Sequence, residues 1–130
     1  MKLIYLPLLF TLCLVCVFAP DPIDKVADLI RQGNTSELSK LFAPNVEISL
    51  LGEENVYSKD QSEVILDKFF NQNKPLAVKM LHKVNSNPNY LFAVLTLTTD
   101  KGPFRVSYTL KDTNGSQRLI ELRIETEKVK

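Results

Sequence analysis

YSKDQSEVILDKFFNQNKP, residues 57–75, is the most sharply punctuated segment of the chain, and it divides two regions of different character. Ser58 followed three positions later by Gln61 matches a capping box and starts a helix at Lys59. Ile65, Leu66, Phe69 and Phe70 then fall on one face of it. Pro75 restricts Lys74 and removes a backbone donor, so the helix ends within NQNK. Upstream the chain reads mainly as helix, and downstream it reads only as strand and turn.

Upstream, in DPIDKVADLIRQGN, Asp21 can cap a helix with Pro22 at its first position and Asp24 in its first turn. Ile23, Val26, Leu29 and Ile30 form its apolar stripe, and Gly33 stops it. A short helix follows, capped by Asn34 or Thr35 with Glu37 in its first turn. Its inward side carries Leu38, Leu41 and Phe42, and Pro44 ends it. NVEISLLG, residues 45–52, then alternates as a strand with Val46, Ile48 and Leu50 on one side. Downstream, residues 76–84, 90–99, 104–111 and 117–127 are strand-like and are separated by NSNPN, DKGP and DTNGS. Short turns bearing Asn, Asp and Gly between apolar runs make an antiparallel meander. The expected order is ααβαββββ, and helices gathered ahead of a run of strands argue for an α+β domain.

The chain has 130 residues, enough for one domain and too few for two of ordinary size. MKLIYLPLLFTLCLVCVFA, residues 1–19, carries one charge at Lys2 ahead of an apolar run and reads as a secretory signal peptide. Residues 3–19 would span only about 25 Å as a helix, short of the roughly 30 Å hydrocarbon core, so a permanent anchor is the weaker reading. Val17 and Ala19 suit a small-x-small cleavage rule, although Pro20 follows at once. Lipidation is disfavoured because Leu12 and Val15, rather than small residues, precede Cys13 and Cys16. The expectation is a leader at 1–19, a single domain at 20–130, and export to the periplasm or medium with no membrane contact after cleavage.

Both cysteines lie in the leader, so the mature domain has no disulfide framework, thiol nucleophile or cysteine metal site. Sixteen Lys and Arg stand against fifteen Asp and Glu. With Lys2 in the leader the remainder is formally neutral, which gives no electrostatic basis for binding nucleic acid. No cofactor and no metal is expected.

Particular residues carry a resemblance to a known family: Gly33 and Asn34 with Leu38 and Phe42; Tyr57, Ser58 and Lys59 with Gln61, Glu63, Ile65, Leu66, Phe69 and Phe70; Pro75 and His82; and TTDKGPFRV leading to ELRIE. On these, over roughly residues 22–125, the chain resembles the nuclear transport factor 2-like superfamily. Within it, the chain is similar to a family of secreted bacterial domains of unassigned function. The resemblance implies three N-terminal helices packed in the concave face of a strongly bent, mainly antiparallel sheet. It also implies a pocket between helices and sheet, frequent homodimers, and either catalysis or plain binding.

Strand alternation predicts what such a pocket would contain. The inward series reads Val46, Ile48, Leu50; Val78, Met80, His82, Val84; Leu91, Ala93, Leu95, Leu97; Phe104, Val106, Tyr108, Leu110; Ile120, Leu122, Ile124. Only His82 and Tyr108 are polar, and no carboxylate appears. His82, Tyr108, Tyr57, Phe69 and Phe70 are therefore the candidate pocket-lining residues. Each also has a structural reading. His82 would be a buried imidazole bonded to Tyr108 or to backbone, Tyr57 a staple on the capped helix, and the phenylalanines core plugs. On the opposite face Leu81, Tyr90, Phe92 and Val94 form an apolar patch suited to a second copy of the chain. The function expected is an exported, non-catalytic domain that binds a small apolar ligand or acts as a scaffold. The alternative is a small cofactor-independent enzyme of isomerase, cyclase or hydrolase type using His82 and Tyr108.

Overall fold

The computed structural model describes residues 21–127, so the leader expected at 1–19 lies outside the described residues. Among the described residues, three helices, α1 (Pro22–Gln32), α2 (Thr35–Ser39) and α3 (Lys59–Gln72), combine with six strands: β1 (Phe42–Leu50), β2 (Glu53–Ser58), β3 (Pro75–Asn87), β4 (Tyr90–Thr99), β5 (Gly102–Thr113) and β6 (Ser116–Thr126). The strands form one open sheet in the order β2-β1-β6-β5-β4-β3. Every neighbouring pair is antiparallel except β1 with β6, which is parallel. The α+β class and the helix order stand as the sequence predicts, with β2 an additional strand between β1 and α3.

Each helix starts where its cap dictates. The Asp21 carboxylate accepts from the Ile23 amide at 2.8 Å, and Asn34 accepts from the Glu37 amide at 3.2 Å. Ser58 and Gln61 exchange both bonds of the capping box. Gly33 ends α1 at φ +65°, and a Cβ there would meet Pro75 at 3.3 Å, so glycine is required by conformation and by space together. α1 lies on β3 and β4, α3 on β1 and β2, and α2 joins the two helices. The shared core includes Ile23, Val26, Ile30, Leu38, Phe42, Leu66, Phe69, Leu95, Leu97, Val106 and Leu122. Phe42 opens β1 instead of closing α2, and Pro44 sits where the β1–β6 ladder is interrupted between Phe42 and Glu47.

Two of the register shifts in the sheet move core-facing positions from those that alternation predicts. In β3 the pairing with β4 shifts between Met80–Leu95 and His82–Val94, so Leu81 is an extra residue. Beyond it the alternation is reversed. His82 and Val84 pair with Val94 and Phe92 on the outer face, and Lys83 pairs with Ala93 on the helix-covered face. In β6 the shift lies between Thr109–Glu121 and Leu110–Leu119, so Ile120 is the extra residue and Leu119, expected outside, is fully buried. The inward placement expected for His82 and Val84 is thus corrected: one extra residue in a period of two sends everything after it to the other face.

Candidate functional site

The structure does not assemble His82 and Tyr108 into one pocket. His82 is exposed on the outer face. Tyr108 is buried on the inner face, in a lateral row with Ala93 and Leu122. Its hydroxyl donates to the Ile23 carbonyl at 2.7 Å, tying the first turn of α1 to the middle of the sheet. Burial, reinforced by the nearby Asp24 and Asp21 carboxylates, pushes the Tyr108 phenol well above its ordinary range. The group is therefore a neutral donor with a fixed partner.

The residue that the bulge turns inward is Lys83, which strand alternation placed outside. Its ammonium reaches Asp21, the N-cap of α1, at 3.1 Å and Asp24, in the first turn, at 3.0 Å. Bonds to Asp24 and then Asp21 raise the Lys83 pKa against an opposing desolvation effect. For Asp21, desolvation is the largest influence and raises the pKa, but the Lys83 bond, the Ile23 amide and the remaining Lys83 and Asp24 contributions together lower it. A cation would ordinarily be unfavourable at a helix N-terminus. Here it is accepted because two carboxylates stand between it and the helix. The one sequence signal for this feature is the adjacent apolar pair Met80-Leu81, which breaks strict alternation.

Among the hollows formed by the described residues, one of about 640 Å³ lies where Phe42, Pro44 and Lys59 meet the β5–β6 turn, with a mixed polar and apolar lining, and two more lie between α3 and the β1–β2 hairpin. One hollow of about 320 Å³ is lined by Tyr57, Asp60, Gln61, Val64 and Ile65, with walls almost wholly of carbon. A second of about 350 Å³ continues from it past Tyr57 and Ile65 to Leu50, Leu51, Glu53, Lys68 and Phe69. The capping box orients this groove, because it fixes where α3 begins relative to Tyr57 at the end of β2. Tyr57 is half-buried against the core, and its hydroxyl accepts from the Asn55 amide group at 3.2 Å. A staple from Tyr57 onto the helix is not formed, since the fourth helical position is Ser62, whose hydroxyl donates to the Ser58 carbonyl at 2.8 Å. Phe69 forms the groove floor and is edge-on to Phe70 and Phe104 at 5.7 and 5.1 Å between ring centres. Phe70 points to the opposite side, near Gly33 and Pro75. Of the five candidate pocket residues, Tyr57 and Phe69 share the groove, while Phe70, Tyr108 and His82 lie elsewhere.

Leu51 sits on the rim of this groove, half-exposed. It occupies the first central position of the β1–β2 turn at φ +52°, followed by Gly52 at φ +93°. The β5–β6 turn has the same pattern of positive φ with Asn114 and Gly115. Asn-Gly is the favoured pair for such a turn, and leucine is not. No set of three or more His, Cys, Asp or Glu side chains capable of holding a metal ion occurs among the described residues.

Three helices on one face of an open, six-stranded mixed sheet, with a groove left beside the β1–β2 hairpin, define a domain of the nuclear transport factor 2-like class. Within that class the chain belongs to the family described as domain of unknown function DUF4783, whose model matches residues 23–125. A DUF4783 family protein from Bacteroides ovatus is 25% identical with a TM-score of 0.76, covering 80% of this chain and 94% of its own. One from Bacteroides uniformis is 20% identical with a TM-score of 0.79, covering 84% of this chain and 100% of its own. A putative polyketide cyclase from Sinorhizobium meliloti is 16% identical with a TM-score of 0.62, covering 82% of this chain and 95% of its own; it shares the fold alone. No curated protein matches the chain significantly.

Proposed function

We propose that this is an exported, non-catalytic binding domain whose contact site is the groove between α3 and the β1–β2 hairpin. The observation that carries the reading is the carbon-walled hollow at Tyr57, Val64 and Ile65, smaller than the hollow beside the β5–β6 turn but far more apolar in its lining. Apolar surface held concave and wet favours an apolar occupant, because covering it removes that surface from water. The expected leader supports export. The outer face supports association with a second copy: Val84, Tyr90 and Phe92 are exposed there beside half-buried Val94, with Leu81 at the bulge. His82 and Tyr108, on opposite faces, offer no paired acid and base.

The test is a thermal-shift titration with the uncharged alcohol 1-decanol as the apolar probe. A ligand at 100 times its dissociation constant adds about 2.7 kcal/mol to stability. Val64 is 69% exposed, so Val64→Glu should leave the fold intact while placing a charge in the hollow. The expected result is stabilisation of the unmodified protein that is lost in the variant. Equal stabilisation of both, or of neither, would remove the groove from consideration.

A further inference from the structure

The two edges of the sheet are built differently. β3, at one end of the strand order, begins at Pro75 and carries Lys79 and Lys83, and its pairing with β4 is interrupted three times. Proline, lysine and bulges are the devices by which an exposed strand is kept from accepting another. β2, at the other end, has no proline, lysine or bulge, and its charged residues, Glu53 and Glu54, are confined to its first two positions. Its six residues EENVYS pair with β1 without a register shift from Ser58–Asn45 to Glu53–Leu50. Among the described residues no further strand pairs with its outer side. Alternate N–H and C=O groups therefore face outward along about 20 Å of regular edge.

This open edge borders the groove. Tyr57 and Glu53 line it from β2, and Val64, Ile65 and Phe69 line it from α3. An unpaired strand beside a helix-walled apolar groove can take an extended peptide, with main-chain bonds to the edge and alternate side chains in the groove. Resting on the groove reading above, we propose that β2 accepts an extended peptide as a seventh strand, one with apolar residues at alternate positions and basic residues at its ends. The two hollows meet at Tyr57 and Ile65, so side chains about 7 Å apart on one face of a strand can enter one each. Glu53 and Asp60 line the groove against a single lysine, Lys68, which favours a cationic partner. A second copy of β2 fits less well. Its groove-side residues, paired opposite Leu50, Ile48 and Val46, are Glu53, Asn55 and Tyr57, which would set a carboxylate and an amide against carbon.

The experiment uses the protein as it accumulates in cells and the capped peptide KVTVTVK, with two control peptides N-methylated at one or the other alternate set of amides. Binding is followed by fluorescence anisotropy and by hydrogen exchange at the β2 amides, and 1-decanol is titrated in parallel. The expected result is a dissociation constant below about 1 mM, slowed exchange in β2, and at least a tenfold loss of affinity for one methylated peptide. Peptide binding that ignores methylation and leaves β2 exchange unchanged overturns strand addition. So does concentration-dependent protection of β2 without peptide, which would put a second copy on the edge. If 1-decanol binds and the peptide does not, strand addition fails and the groove reading survives; if neither binds, both fail.

Discussion

Tyr108→Phe removes one oxygen atom from the middle of the domain, and its consequences can be worked out in advance. The hydroxyl is buried and donates at 2.7 Å to the Ile23 carbonyl, 85 residues away in sequence. Ile23 lies in α1, so its carbonyl keeps a partner one helical turn on, and the variant leaves it under-satisfied rather than orphaned. A net hydrogen bond of about 0.5–1.5 kcal/mol plus a small void gives an expected loss of about 1–2 kcal/mol near neutral pH. In a domain of this size each kcal/mol corresponds to roughly 4–8 °C in Tm. The pH dependence provides a second check. Burial raises the phenol pKa in the folded state above its ordinary value of 10.0, so above that pH the unfolded chain ionises while the folded one keeps its proton. The unfolded state then binds fewer protons, and wild-type stability falls by up to about 1.4 kcal/mol per pH unit from this group. The variant lacks this loss. Lys83 also has a raised pKa, and the stability it contributes is present below its unfolded value of 10.5 and lost as pH rises through the folded one. It does so in both proteins and cancels in the difference. Urea denaturation should therefore show a gap of about 1–2 kcal/mol at neutral pH that closes by about pH 11. A variant as stable as wild type at neutral pH, or a gap that does not shrink, would refute the assignment of Tyr108 as a neutral donor between sheet and helix.

His82→Ala should change stability by less than about 0.5 kcal/mol, as expected of an exposed side chain with few partners, and should leave the 1-decanol response unchanged; a loss above about 1 kcal/mol would return the imidazole to the interior. Ser58→Ala should cost about 1 kcal/mol by removing the cap of α3, readable as a lower urea midpoint with an unchanged slope. Phe92→Glu should release monomers from a dimer formed through the outer sheet face while preserving the circular dichroism of the fold. Light scattering that finds the unmodified protein monomeric at micromolar concentration would end the dimer reading.

The missed strand and the misplaced histidine have separate physical causes. β2 lies at the sheet edge, and EENVYS is exposed at every position but Tyr57, so it has no apolar alternation for a sequence reading to detect. Its turn, Leu51-Gly52, lacks the Asn that marks the β5–β6 turn. His82 was misplaced because the position of a bulge depends on pairing with β4, and alternation along β3 carries only the weak trace of Met80-Leu81. The candidate site suffered more than the fold. Fold class depends on the sum of many apolar positions, whereas a site depends on where a few individual side chains point.

The sequence alone determined what is local or additive: three helix starts set by side-chain caps, helix ends at Gly33 and before Pro75, the downstream strands, and the α+β class that follows from their order. Only the tertiary structure decided which side chains share a space. Strand pairing placed Leu81 and Ile120 as extra residues, turned Lys83 inward to Asp21 and Asp24, and sent His82 outside. Packing of α3 against the β1–β2 hairpin then left the groove at Tyr57 and Ile65 unfilled. Caps and turns involve residues a few positions apart and are legible in the chain. A bulge or a groove reflects contacts between elements tens of residues apart, where one extra residue reverses a whole face.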